Sequence, residues 1–140
     1  MRRINEIIVH CTDTRRGQKA DVAEIRRWHV DERGWSDIGY HLVIGEDGRA
    51  EEGRPIERAG AHCYRRNGRS IGIALAGGYG VTDARPEDTF TPAQLSALIG
   101  AIRNYRQTYG PLKLSGHRDY DKRKACPTFD VRAWAERNGL

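Results

Sequence analysis

Three branched apolar residues in a row, Ile7-Ile8-Val9, run directly into His10-Cys11-Thr12. Successive side chains of a strand point to opposite faces, so a strand with one wet face alternates apolar and polar residues. A run that does not alternate is buried on both sides. Residues 6–12 therefore read as an inner strand of a sheet covered on each face. The same parity separates His10 from Cys11. If one of them ligates an ion, the other belongs to the core.

The rest of the chain supplies the cover. Asp21 with Glu24 three residues on has the form of a capping box, and Val22, Ile25, Trp28 and His29 recur on one helical face. Gly34 stops that helix. Residues 38–44, IGYHLVI, predict a strand with Tyr40, Leu42 and Ile44 on one face and His41 and Val43 on the other. Asp47-Gly48 turns it back into a short arm, Arg49-Ala50-Glu51. A long irregular stretch follows from Gly53 to Ser70, and loops of that length in small domains are often functional. Residues 71–76, IGIALA, are a short buried strand, and 77–88 read as loop. Gly77-Gly78-Tyr79-Gly80 lacks the Lys-Ser or Lys-Thr of a phosphate loop. Thr91, Pro92 and Gln94 open the strongest helix, whose stripe is Leu95, Leu98, Ile99, Ile102, Tyr105 and Tyr109. Gly110-Pro111 ends it. Leu112 to Leu114 is a short strand, and Asp130 caps a last short helix with Val131 and Trp134 inward. Strands alternating with helices predict one α/β domain over residues 1–140: a small mixed central β-sheet flanked by about three α-helices.

Bulk properties narrow the function. A chain of 140 residues buries about two thirds of its unfolded surface, so a core forms without staples. The net charge is +5, but 24 basic residues are interleaved with 19 acidic ones. The densest basic clusters, Arg65-Arg66 and Lys122-Arg123-Lys124, are short. A mostly solvated face with some attraction to an anionic wall is expected, with no dedicated nucleic-acid site. Three cysteines form no disulfide framework. No apolar run suits a secretory signal or a membrane span, so synthesis in a reducing cytoplasm and no membrane partner are expected.

Chemistry concentrates in residues 115–130, SGHRDYDKRKACPTFD. Two imidazoles and a thiolate make a zinc ligand set that leaves a fourth position open for water. His10, His117 and Cys126 are the candidates for one zinc ion in a surface cleft. A lone strand-end histidine is more often a hydrogen-bonded core residue, and a lone cysteine a small hydrophobe. Spacing alone leaves both readings standing. In the long loop, His62, Arg65 and Asn67 are the candidates for lining a substrate groove. His29 and His41 read as structural, and Cys11 and Cys63 as free thiols.

A resemblance shifts that balance. VHCT at 9–12, EIRRWH at 24–29, GWSDIGYHLVIGEDG at 34–48, GAH at 60–62, SIGIALAGG at 70–78, FTPAQ at 90–94 and GHRDYDKRKACPTFD at 116–130 occur in one order along nearly the whole chain. So arranged, the chain resembles the zinc-dependent N-acetylmuramoyl-L-alanine amidases of the type-2 family, which includes the peptidoglycan-recognition proteins. It is most similar to the short phage members. The resemblance implies zinc ligands at His10, His117 and Cys126, and amidase activity assisted by Tyr40 and Lys124. The implied reaction is hydrolysis of the bond between N-acetylmuramic acid and L-alanine in bacterial peptidoglycan. Lys124 would face the oxyanion. Tyr40 would hydrogen-bond the water or the oxyanion, or pass a proton to the leaving amine. The implied protein is a monomeric endolysin that waits in the host cytoplasm until the membrane is opened. A binding protein is the other reading the family allows, through peptidoglycan recognition without cleavage or regulation of a phage RNA polymerase.

Overall fold

A computed structural model of the chain describes residues 1–80 and 85–140. The part of the expected 77–88 loop at 81–84 lies outside the described residues. The run of apolar residues forms β1 (Glu6–Cys11), and every one of its six residues is buried. It is hydrogen-bonded in parallel on both sides, to β5 (Ser70–Leu75) and to β7 (Lys113–Gly116). β3 (Leu42–Ile44) joins the outer side of β5 in parallel, and β4 (Ala50–Glu52) closes that edge as an antiparallel hairpin arm. The sheet order is β4-β3-β5-β1-β7, a mixed sheet as expected. A second, two-stranded sheet pairs β2 (Thr14–Arg15) with β6 (Gly78–Tyr79). It was not anticipated, because two-residue strands leave no periodicity to read.

Helices cover both faces. α2 (Pro92–Tyr109) and α3 (Val131–Arg137) lie over Ile7, Val9, Ile71, Ile73 and Leu75. α1 (Val22–Arg27) packs on the opposite face with Ile38, Val43 and Ala74. The start of α2 makes both bonds of its capping box, Gln94 N–H to Thr91 Oγ1 at 3.1 Å and Thr91 N–H to Gln94 Oε1 at 3.0 Å. The same Gln94 amide donates to the carbonyls of Ile44 and Ala76, so the cap also fastens the helix to the ends of two strands. α1 makes only half of its expected box. Asp21 accepts from Glu24 N–H, but the Glu24 carboxylate is taken by Arg27 and by the Trp28 indole N–H. The helix then passes into a π-helical turn over Trp28–Glu32 before Gly34, at φ +73°.

The strand expected over 38–44 is shortened to its last three residues. His41 Nδ1 accepts from Gly72 N–H at 3.0 Å, a donor that a regular ladder would give to a backbone carbonyl. The backbone before Leu42 therefore leaves the ladder and the face parity changes. Tyr40 packs with Val43 on the α1 face, whereas Leu42 and Ile44 join the α2 face. That shift brings Tyr40 to the side of the sheet from which His10 projects.

Candidate metal centre

His10 is the fifth residue of β1 and projects, like Glu6 and Ile8, from the α1 face of the sheet. β7 runs to Gly116, so His117 follows at once, at the start of a 3₁₀ turn (His117–Asp119). Cys126 comes back after a tight loop whose own turn is closed by Lys124 N–H on the Asp121 carbonyl, and Arg118 N–H donates to the Cys126 carbonyl at 2.8 Å. Ligand atoms of His10, His117 and Cys126 all lie within 4.8 Å of one another. The His10 and His117 rings are 4.6 Å apart.

The electrostatics suit a metal ligand set. Cys126 is held well below the ordinary thiol range by the adjacent Cys11 thiol and by the two imidazoles, against the opposing effect of burial. Cys11 is pushed the other way by its contact with Cys126 and by burial, so it stays a thiol. Its backbone N–H donates to Cys126 Sγ at 3.1 Å. Burial lowers the pKa of His10, leaving a neutral ring with a free lone pair. Two imidazoles and one thiolate are the donor types that zinc accepts in tetrahedral sites.

These three residues line a cleft of about 400 Å³. Tyr40 and Lys124 line it, with Asp13, Arg33 and Trp35 on its walls. The Tyr40 ring is 5.2 Å from His10, and burial followed by the Cys126 charge raises its pKa, so it remains a protonated donor. Lys124 is solvent-exposed at the rim. The loop around it is turned, and Lys124 and Cys126 line the same cleft.

Of the three groove candidates, His62 lines the cleft although it is mostly buried, and its Nδ1 lies 2.8 Å from His10 Nε2. Asn67 lines the cleft, with its Oδ1 accepting from the backbone N–H groups of His62 and Cys63. Arg65 sits in an adjoining pocket with Arg66, Tyr120 and Arg123, its guanidinium 5.4 Å over the Tyr64 ring. The other histidines are engaged elsewhere. His29 Nδ1 accepts from Gly39 N–H and its ring lies 5.6 Å from Tyr40. His41 donates through Nε2 to the Arg58 carbonyl.

Sequence reasoning missed Glu6. Its carboxylate is almost fully buried at the start of β1 and accepts from Ser115 Oγ at 2.8 Å and from the Tyr120 hydroxyl. Arg66 stacks 3.9 Å over the same Tyr120 ring. These contacts tie the turn carrying His117 and the loop carrying His62 back to the strand carrying His10. The available signal was a lone acidic residue heading an apolar run, two positions before Ile8 and four before His10.

The sequence model of the N-acetylmuramoyl-L-alanine amidase family matches residues 1–129. The chain belongs to that family. The endolysin of Escherichia phage T7 is 41% identical over 135 residues, covering 96% of this chain and 87% of the relative. Peptidoglycan-recognition protein SC1a of Drosophila melanogaster is 33% identical over 143 residues, covering 94% and 74%. Among solved structures, the N-acetylmuramoyl-L-alanine amidase LysC of Clostridium intestinale superposes with a TM-score of 0.82 at 29% identity, over 98% of this chain and 86% of that one. The amidase shares its mixed sheet and its three flanking helices with these structures, and no helix among its described residues is long and apolar enough to cross a membrane.

Proposed function

We propose that this amidase is an endolysin-type zinc hydrolase that cuts the amide between N-acetylmuramic acid and the L-alanine of the peptidoglycan stem. The convergence of His10, His117 and Cys126 in a cleft that Tyr40 and Lys124 also line carries this reading. Zinc held by the three residues would polarise the amide carbonyl and lower the pKa of water towards about 7.

The chain's own groups account for the rest. As the amide is attacked, negative charge gathers on the carbonyl oxygen, and the Lys124 ammonium is placed at the rim to meet it. The Tyr40 phenol, kept protonated by burial and by the Cys126 charge, donates to that oxygen or to the departing amine. Asn67 secures the backbone of the loop that borders the cleft. The backbone N–H of Cys11 on Cys126 Sγ favours the thiolate that a cation needs.

Purified protein incubated with peptidoglycan should release free stem peptides and leave the glycan strands intact. New reducing sugar ends would instead mark a glycosidase and sink the mechanism. Chelation should abolish turnover and zinc restore it. Cys126→Ser should lose the metal, and a Cys126→Ser protein that still holds one equivalent of zinc would refute the ligand assignment.

A further inference from the structure

The geometry points to His62 as a positioning residue that sets the tautomer of His10, through a hydrogen-bond chain ending on the carbonyl of Arg66. This rests on the zinc reading above and concerns a residue beside the proposed ligands that is not one of them. The chain is read from its outer end. Ser70 Oγ has one proton. It lies 2.7 Å from the Arg66 carbonyl and 3.3 Å from His62 Nε2. The shorter contact takes the hydroxyl proton, since the carbonyl can only accept. Ser70 Oγ is then an acceptor, so His62 carries its own proton on Nε2 and donates it to Ser70.

A neutral imidazole has one donor and one acceptor nitrogen. With Nε2 protonated, His62 Nδ1 is the acceptor, and it lies 2.8 Å from His10 Nε2. His10 must therefore be protonated on Nε2, and its bare lone pair is on Nδ1. The opposite polarity would put a proton on His10 Nδ1, the nitrogen left to face His117 and Cys126, and would block ligation there. One serine hydroxyl thus decides which nitrogen of a residue two links away can bind a cation.

The sheet makes room for this arrangement. Gly72 is paired with Ile8, and a Cβ added at Gly72 would lie 2.6 Å from the His62 ring. A Cβ at Gly60 would meet the same ring at 2.6 Å. The ring is clamped edge-on to His10, with the two planes 89° apart. Ligating histidines generally depend on such a partner, and its loss typically lowers metal affinity 10–100-fold.

The test is zinc affinity, measured by competition with a chromogenic chelator, alongside long-range ¹H–¹⁵N correlation spectra of histidine-labelled protein. Wild type should show His10 protonated on Nε2, and with zinc bound, ligated through Nδ1. His62→Phe should bind zinc about 10–100-fold more weakly while keeping its far-UV spectrum. His62→Gln, whose side-chain oxygen can still accept from His10, should recover most of that loss. A His10 ring protonated on Nδ1 would overturn the inference. So would a folded His62→Phe protein with wild-type zinc affinity when Cys126→Ser has lost the metal. In both results the zinc reading itself would stand. If wild type bound no zinc, both would fall.

Discussion

At the scale of single residues, the proposed mechanism separates holding a cation from using it. His10 and Cys126 are buried, whereas Lys124 is exposed at the rim with no part in the ligand cluster. Lys124→Ala should therefore keep one equivalent of zinc and lose about 10²–10³-fold in kcat, the usual cost of removing one donor from a developing oxyanion. Tyr40→Phe removes a single hydroxyl from a ring packed between His10 and His29. It should leave melting temperature and zinc content near wild type while lowering kcat by about 10²-fold or more. Wild-type rates from a zinc-loaded Tyr40→Phe protein would remove Tyr40 from the chemistry.

Between elements, the determining contact is the approach of the loop carrying His62 to the β5 strand. Gly72→Ala puts a methyl group where the His62 ring lies. Overpacking of this kind costs about 1–3 kcal/mol, which would appear as a lowered denaturant midpoint with an unchanged slope. This contact also shows where the sequence stopped being legible. Ile7 to Val9 declared an inner strand because nothing in it alternates, and Thr91, Pro92 and Gln94 declared a helix start because each residue has one physical use there. His62 read as a groove residue and not as a partner of His10, since that partner is 52 positions away and a glycine in a strand does not say what fills its space. The face of Tyr40 was misjudged for a related reason: His41 uses its side chain where a backbone group was assumed. Glu6 gave little away as well, because its buried carboxylate is explained by Ser115 and Tyr120, more than a hundred residues further on, and by Arg66 at 4.0 Å.

Across the whole molecule, neutral buried histidines set the response to acid. His29 and His41 are each pushed down to about 4, in both cases chiefly by burial. An unfolded histidine titrates near 6.5. Between those values the unfolded chain binds protons that the folded chain refuses, so stability falls as pH falls from about 6.5 towards 4 and is fully present above 6.5. Melting temperatures taken from pH 7.5 to pH 4.5 should decline through that window. A flat profile would show that these rings are not buried neutral.

The order of strands has a further consequence in time. β1 is made first, but its partners β5 and β7 begin at Ser70 and Lys113, and all the pairings are parallel. Such contacts close long loops before any return is gained, and they form slowly. Cys126, the last of the proposed ligands, is translated only after β1, β5 and β7 have been made. A nascent chain that has not yet reached Cys126 therefore lacks one of the three proposed ligands, and on the proposed mechanism it cannot cut wall.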